Sequence, residues 1–480
     1  MTFPTLSTWI GSQREDSACE DHDWLRDPNS GEALTPNRSS SPEQVDRAVD
    51  AATRAHTEGY WIGLGPEGRA PILRAFADEL DARADEIARL DALSSGVPIS
   101  TTRLFAGSNG GTVRSVTERA LALGDVVALP ADGRDVRLFR APWGPTALLL
   151  PWNAPAAMAV KKVSFALAAG ASCVMKPSPA SPWSAQLVAE AAQAAGIPDG
   201  VVSLVLGGQE VGEQLVGDSR IAAIAMTGST PAGRAIAAKA APRFARLRLE
   251  LGSNNPAVVL GDADVLRAAR AIASGSMKMS GQWCEAPRRV LVDRALLDEL
   301  VAALRVELAA LRIGSSLDDK TDLGPVAFEA RRNELLAQCQ TLRDAGAQIY
   351  EAQSVPDKGW FVAPTIAVAE QIELDNELFG PIVTVQPFDD ADQAVSIANT
   401  GQVGLAAYVF GRDESRALDV GRRILAGEVK INGTSVLDMS AESAQSFFGD
   451  SGLGGHGDAD VLDFYTGKRV IGTDAPGLPL

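Results

Sequence analysis

Apolar residues in the first part of the chain recur at intervals of three and four. Between residues 67 and 93, Ile72, Leu73, Phe76, Leu80, Ile87 and Leu90 fall on one stripe, which predicts long amphipathic packing helices. From residue 146 the texture changes. Short apolar runs, TALLL at 146–150, SCVM at 172–175, VVSLVL at 201–206, IAAIAM at 221–226 and LRLEL at 247–251, alternate with helical patterns near 155–169, after 181, near 211–217 and after 231. Ser181 before Pro182 predicts an N-cap with proline in the first turn, and Gly196 predicts a stop before the next strand. Strands joined by crossovers of this length form parallel, right-handed, doubly wound sheets whose ligands sit beyond the carboxyl ends of the strands. A second α/β series follows, with strands near 288–292, 382–387, 405–410 and 428–432 and helices near 295–312 and 328–345. Segment 126–142 lies outside both series and alternates like a hairpin with Asp132-Gly133 at its turn, so it is expected to project as an arm. GDSGLGGHG at 449–457 is rich enough in glycine to be expected to be mobile.

Composition narrows the function classes. The 480 residues, 46% hydrophobic and 22% charged, suit two or three globular domains. With 44 basic against 61 acidic side chains, the net charge of −17 argues against a nucleic-acid partner and against an anionic membrane surface. Cys19, Cys173, Cys284 and Cys339 are too sparse for a disulfide framework and include no Cys-x-x-Cys pair, so a reducing compartment is expected and a metal site is not. No basic leader precedes an apolar run, and a soluble cytoplasmic protein is the expectation. His22, His56 and His456 all lie far from Cys284 in sequence, which speaks against a Cys-His protease arrangement.

The candidate chemistry is modest when each residue is taken alone. No Gly-x-Gly-x-x-Gly follows any of the strands, and the nearest feature is Gly228-Ser-Thr-Pro-Ala-Gly233 between a strand and a helix. Its amides could hold a pyrophosphate, or it is an ordinary turn. Cys284, in Gly281-Gln-Trp-Cys-Glu-Ala-Pro287, sits on a loop before a strand, whereas Cys173 lies inside one and fits the usual structural cysteine. Glu250 ends an apolar strand, where a carboxylate is costly unless paired, solvated or functional.

Taken in order, the motifs are more specific. Pro151-Trp-Asn153, Lys176-Pro177, Gly228-Ser-Thr, Leu249-Glu-Leu-Gly252, Gly281-Gln-Trp-Cys284 and Glu377-Leu-Phe-Gly-Pro381 resemble the series found in the aldehyde dehydrogenase superfamily, and the likeness spans nearly the whole chain. The resemblance implies an α/β fold: a Rossmann-type doubly wound cofactor domain (1–122 and 143–252), a second α/β catalytic domain (253–447) and a β oligomerisation arm (123–142 and 461–480). It implies a homodimer or homotetramer in which the arm and a strand near 463–471 complete a neighbour's sheet. It also implies a cycle in which Cys284 attacks an aldehyde, Asn153 and the Cys284 amide stabilise the oxyanion, and Glu250 activates the water that releases the acid, with Lys162 relaying protons. NAD or NADP would lie against Pro151, Trp152, Lys176, Gly228, Ser229, Gly252, Glu377 and Phe379.

Four departures from the pattern matter. Pro179 stands where NAD-preferring members often carry a glutamate, so dual cofactor use with NAD favoured is expected. Ser253-Asn-Asn255 replaces the usual Gly-Lys-Ser, and Asp458 stands where an arginine is common. Lys161 replaces an aromatic residue of the substrate tunnel: either it selects an aldehyde bearing a carboxylate or another polar group, with Trp283 as a flat wall, or it faces water. Competing readings are a CoA-acylating enzyme of the same fold, against which Glu250 counts, a catalytically silent member, and a cysteine hydrolase without redox chemistry.

Overall fold

The apolar runs between 146 and 251 become five parallel strands, Thr146–Leu149, Cys173–Lys176, Val202–Leu204, Ala223–Thr227 and Arg246–Glu250. Their spatial order is third, second, first, fourth, fifth. The computed structural model describes residues 3–17, 19–131, 133–374, 376–436, 439–440 and 443–474; Asp132, 475–480 and the side chains of 19–23 lie outside the description. Side chains alternate between two covered faces: Leu148, Met175, Leu204 and Ala225 enter one apolar core, and Ala147, Val174, Ile224 and Leu249 the other. The order of strands reverses between Thr146–Leu149 and Ala223–Thr227, so the segments leaving their carboxyl ends diverge and open a crevice there. Antiparallel strands close both edges, Ser7–Ile10 with Gln13–Asp16 on one side and Gly452–Leu453 beside Arg246–Glu250 on the other.

A second, seven-stranded sheet runs Gln348–Glu351, Thr365–Val368, Ile382–Phe388, Pro287–Asp293, Asn255–Val259, Ala406–Phe410 and Glu428–Ile431, parallel except at the first pair. Its interior strand Asn255–Val259, the helix Val265–Met277 after it and the pair at 348–368 had no counterpart in the sequence reading. NPAVV is short and begins with Asn-Pro, a turn signal that masks a fully buried strand.

Several local expectations are corrected. The stripe over 67–93 is two helices, Gly65–Ala82 and Ala84–Ser95, parted where Arg83 leaves helical geometry. Ser181 does not cap: the helix is Trp183–Ala194, Pro182 holds the cap position, and the Ser181 amide is spent on a turn to Ser178. The glycine-rich segment is built into the fold. A Cβ at Gly452 would lie inside the Leu249 carbonyl, so glycine is what lets this strand pair with the end of the first sheet. The hairpin at 126–142 forms, Val126–Ala128 against Val136–Pro142, but Thr466–Gly472 joins it within the same chain, and 458–465, partly expected as strand, is helical. Among the described residues no helix is long and apolar enough to cross a membrane.

Candidate active site

The carboxyl ends of the first sheet face the amino ends of the second. Asn153 follows the strand Thr146–Leu149, Glu250 ends Arg246–Glu250, Cys284 lies three residues before Pro287–Asp293, and Asn255 opens Asn255–Val259. This opposition brings Cys284 Sγ to 3.9 Å from Glu250 Oε1. Asn153 Nδ2 donates to the Gln282 carbonyl (2.8 Å), which leaves its second N–H for another acceptor beside the cysteine. Thr227 Oγ1 lies 3.2 Å from the other oxygen of Glu250 and orients the carboxylate.

The loop carrying the cysteine is held from all sides. Before it, Met279, Ser280 and Gly281 take left-handed φ of 55°, 59° and 74°, a conformation two side-chain-bearing residues adopt only under constraint. Asn255 Nδ2 donates to the carbonyls of Cys284 (2.8 Å) and Ala286 (3.0 Å) while its Oδ1 accepts from the Ala406 amide (3.1 Å). Arg288, fully buried, donates to Gly281 and Trp283 carbonyls and to Glu377 Oε1 (3.0 Å). Tyr408 donates its hydroxyl to the Glu285 carbonyl at 2.6 Å. Asn255 and Arg288 were missed by sequence reasoning. A serine-like asparagine and a basic residue opening a strand look like surface chemistry until the fold shows them buried.

Electrostatics separate the two candidate reacting groups. Burial raises the Cys284 thiol well above its usual range, and the carboxylates of Glu250, Glu285 and Glu377 raise it further against the weaker pull of Arg288. The resting thiol is therefore protonated, and the base within reach is Glu250. Burial alone would raise Glu250, but His456, Lys162 and Arg248 together outweigh it and hold the carboxyl well below the usual range. Lys162, pushed down to about 7 chiefly by burial, has no partner for its Nζ among the described residues.

The other expected contacts surround this centre. Lys176, at the end of its strand, has its amine 3.2 Å from the Pro177 carbonyl and is lowered to about 8 by burial. Gly228 and Ser229 lead into the helix Thr230–Ala240, whose first amides have no side-chain cap. A Cβ at Gly252 would sit 2.5 Å from Glu377 Oε2, so glycine there admits the carboxylate, which burial raises to about 7 against the opposing pull of Arg288. Trp152 meets Phe379 and Phe328 edge to face at 5.4 and 5.1 Å. Trp283 packs with Phe105, Ala154 and Cys284 under the ammonium of Lys278, 4.8 Å from the ring. Lys161 is half-buried on Pro155–Ala168, one residue from Lys162. Uncapped amides, a buried amine and a carboxylate seated over glycine form a donor and acceptor set that suits a dinucleotide.

Residues 17–471 match the family model described as the aldehyde dehydrogenase family. The geranial dehydrogenase of Castellaniella defragrans is 35% identical over 401 residues, 82% of this chain and 83% of that protein. The succinate-semialdehyde dehydrogenase of Paenarthrobacter nicotinovorans is 32% identical over 447 residues, 91% of this chain and 98% of its own. Among solved structures, the NAD-dependent aldehyde dehydrogenase of Sinorhizobium meliloti superposes with a TM-score of 0.93 at 29% identity, over 99% of this chain and 95% of that one.

Proposed function

Because the chain belongs to the aldehyde dehydrogenase family, we infer that it oxidises an aldehyde to a carboxylic acid with a nicotinamide dinucleotide, through a thioester on Cys284. The observation that carries the assignment of residues is the 3.9 Å approach of Cys284 to Glu250 on a loop that Asn153 also reaches. Glu250 takes the thiol proton as Sγ bonds to the aldehyde carbon. The free N–H of Asn153 and the Cys284 amide stabilise the oxyanion, an interaction whose loss costs about a hundredfold or more in turnover. When bound, the dinucleotide supplies the hydride acceptor that turns the thiohemiacetal into a thioester. Glu250 first gives the thiol proton up to solvent and then deprotonates water, the water oxygen bonds to the acyl carbon, the C–S bond returns its pair to Sγ, and the acid leaves.

Pro151, Trp152, Gly252 and Phe379 would line the dinucleotide, with Lys176 on the adenosine ribose, Gly228 and Ser229 on the pyrophosphate, and Glu377 on the nicotinamide ribose. With Pro179 in place of a carboxylate, both NAD and NADP are used and NAD is favoured; a higher kcat/KM with NADP would overturn this. Lys161 selects an aldehyde carrying a carboxylate or another polar group, with Trp283 as a flat wall for part of it, and the likeness to a succinate-semialdehyde dehydrogenase supports that reading. Unchanged preference in Lys161→Ala would end it. Residues 1–122 and 143–252 form the cofactor domain, 253–447 the catalytic domain, and 123–142 with 461–480 the arm of a cytoplasmic homodimer or homotetramer.

The test is absorbance at the reduced nicotinamide band with aliphatic, aromatic and acidic aldehydes, each with NAD and NADP, and Cys284→Ala as the blank. Reduction that survives in the blank, or that requires coenzyme A for acyl release, would overturn the assignment.

A further inference from the structure

The fold places a histidine on the base. His456 lies over two hundred residues from Glu250 in sequence, yet its Nε2 is 3.4 Å from Glu250 Oε1 and 3.7 Å from Glu285 Oε1. The imidazole is held there by construction. Gln445 pairs with His456 across a short antiparallel bridge, and the Phe447 ring meets the imidazole edge to face at 5.0 Å. Buried Arg248 donates twice to the Gly455 carbonyl, from Nε (3.1 Å) and Nη2 (2.8 Å), and so fixes the peptide that carries the ring. A Cβ at Gly455 would lie inside the Gln445 carbonyl, so the bridge closes only over glycine.

We propose that His456 is the terminal acceptor of the proton that Glu250 takes from the deacylating water, a role that rests on the assignment of Cys284 and Glu250 above. The step balances within these residues. The water O–H breaks and its oxygen bonds to the acyl carbon. The proton passes through Glu250 Oε1 to Nε2 of a neutral imidazole, and the C–S pair returns to Sγ. Glu285 then faces the imidazolium as a counterion. The charged groups facing the ring are Glu250 at the end of its strand and Glu285 on the nucleophile loop, and Arg248 on the same strand as Glu250 and Lys162 on the helix Pro155–Ala168 act on Glu250.

Rapid-quench mass measurement of the acyl-enzyme separates its formation from its decay. In His456→Gln, formation is expected within about threefold of the wild type and decay slower by about 10–100-fold. The pH profile of decay is expected to differ between the wild type and the variant. Decay at the wild-type rate, an unchanged pH profile, or formation and decay slowed in parallel would overturn the proposal. A readout without turnover distinguishes its failure from that of the cysteine assignment. With three histidines in the chain, histidine-labelled NMR follows His456 directly, identified by its loss in His456→Gln. Its titration curve in Glu250→Gln is expected to separate from the wild-type curve, and superimposable curves refute the coupling.

Discussion

At the scale of residues, the nucleophile is set by what surrounds its loop as much as by its own thiol. Asn255 occupies the first position of a buried strand and spends both N–H groups on carbonyls of the cysteine loop. Asn255→Ala is expected to lower kcat by about 10–100-fold, since a displacement near 1 Å at the reacting centre has that effect, while the KM for dinucleotide stays within about threefold. Steady-state kinetics checks it. The thiol itself is raised by burial and by three carboxylates, so alkylation of the free enzyme by iodoacetamide is expected to be slow at pH 7 and to climb above pH 9. In Glu250→Gln the rise is expected at lower pH, because one of the anions is gone; a profile unmoved by the substitution would contradict the field described. Cys284 and Glu250 could be picked out of the sequence because their neighbours in the chain carry a recognisable pattern. His456, Arg288 and Asn255 could not, because each acts on a residue that is close only in space, and a lone polar side chain carries no mark of its partner.

Among elements, the helices behind the site are tied together by one buried carboxyl. Asp91, on Ala84–Ser95, accepts from the Ala156 amide at 3.2 Å, at the start of the helix that carries Lys161 and Lys162. Burial raises it to about 7, more than the Ala156 amide and the nearby Ser184 hydroxyl lower it. In the unfolded chain an aspartate titrates near 4, so the folded state binds the extra proton between roughly pH 4 and 7. Its contribution is full below the unfolded value and is lost as pH rises through the folded one, at up to about 1.4 kcal/mol per unit. Asp91→Asn is therefore expected to gain on the wild type in melting temperature from pH 4 to pH 8, and a constant difference across that range would refute the assignment. The alternation of short apolar runs with helical patterns made the first sheet readable, because a doubly wound sheet repeats one unit. The second was only partly readable. Its interior strand Asn255–Val259 starts on Asn-Pro, and its outer pair folds back antiparallel, so neither the period nor the punctuation marks them.

For the molecule as a whole, the three-stranded arm poses the question of assembly. Val126 (49%), Val470 (62%) and Ile471 (51%) are exposed on its two outer strands, which leave backbone donors and acceptors unpaired at each edge. Replacing Val470 and Ile471 by lysine is expected to lower the mass seen by light scattering by a factor of about two or more; an unchanged mass would mean that this edge joins no second copy. A different consequence follows from the strand Gly452–Leu453, which seals the first sheet beside Glu250, while Ser451 Oγ donates to the Gly252 carbonyl at 3.0 Å. The two partners of that seam are separated by about two hundred residues of chain. A ribosome making this protein will have released both sheets' central strands before the seam can close, and contacts of such long range are late to form. Cys284 thus emerges from synthesis well ahead of the segment that seals the sheet beside Glu250, and the nascent chain carries a thiol site whose base is fully enclosed by its partners only after residue 456 has been added.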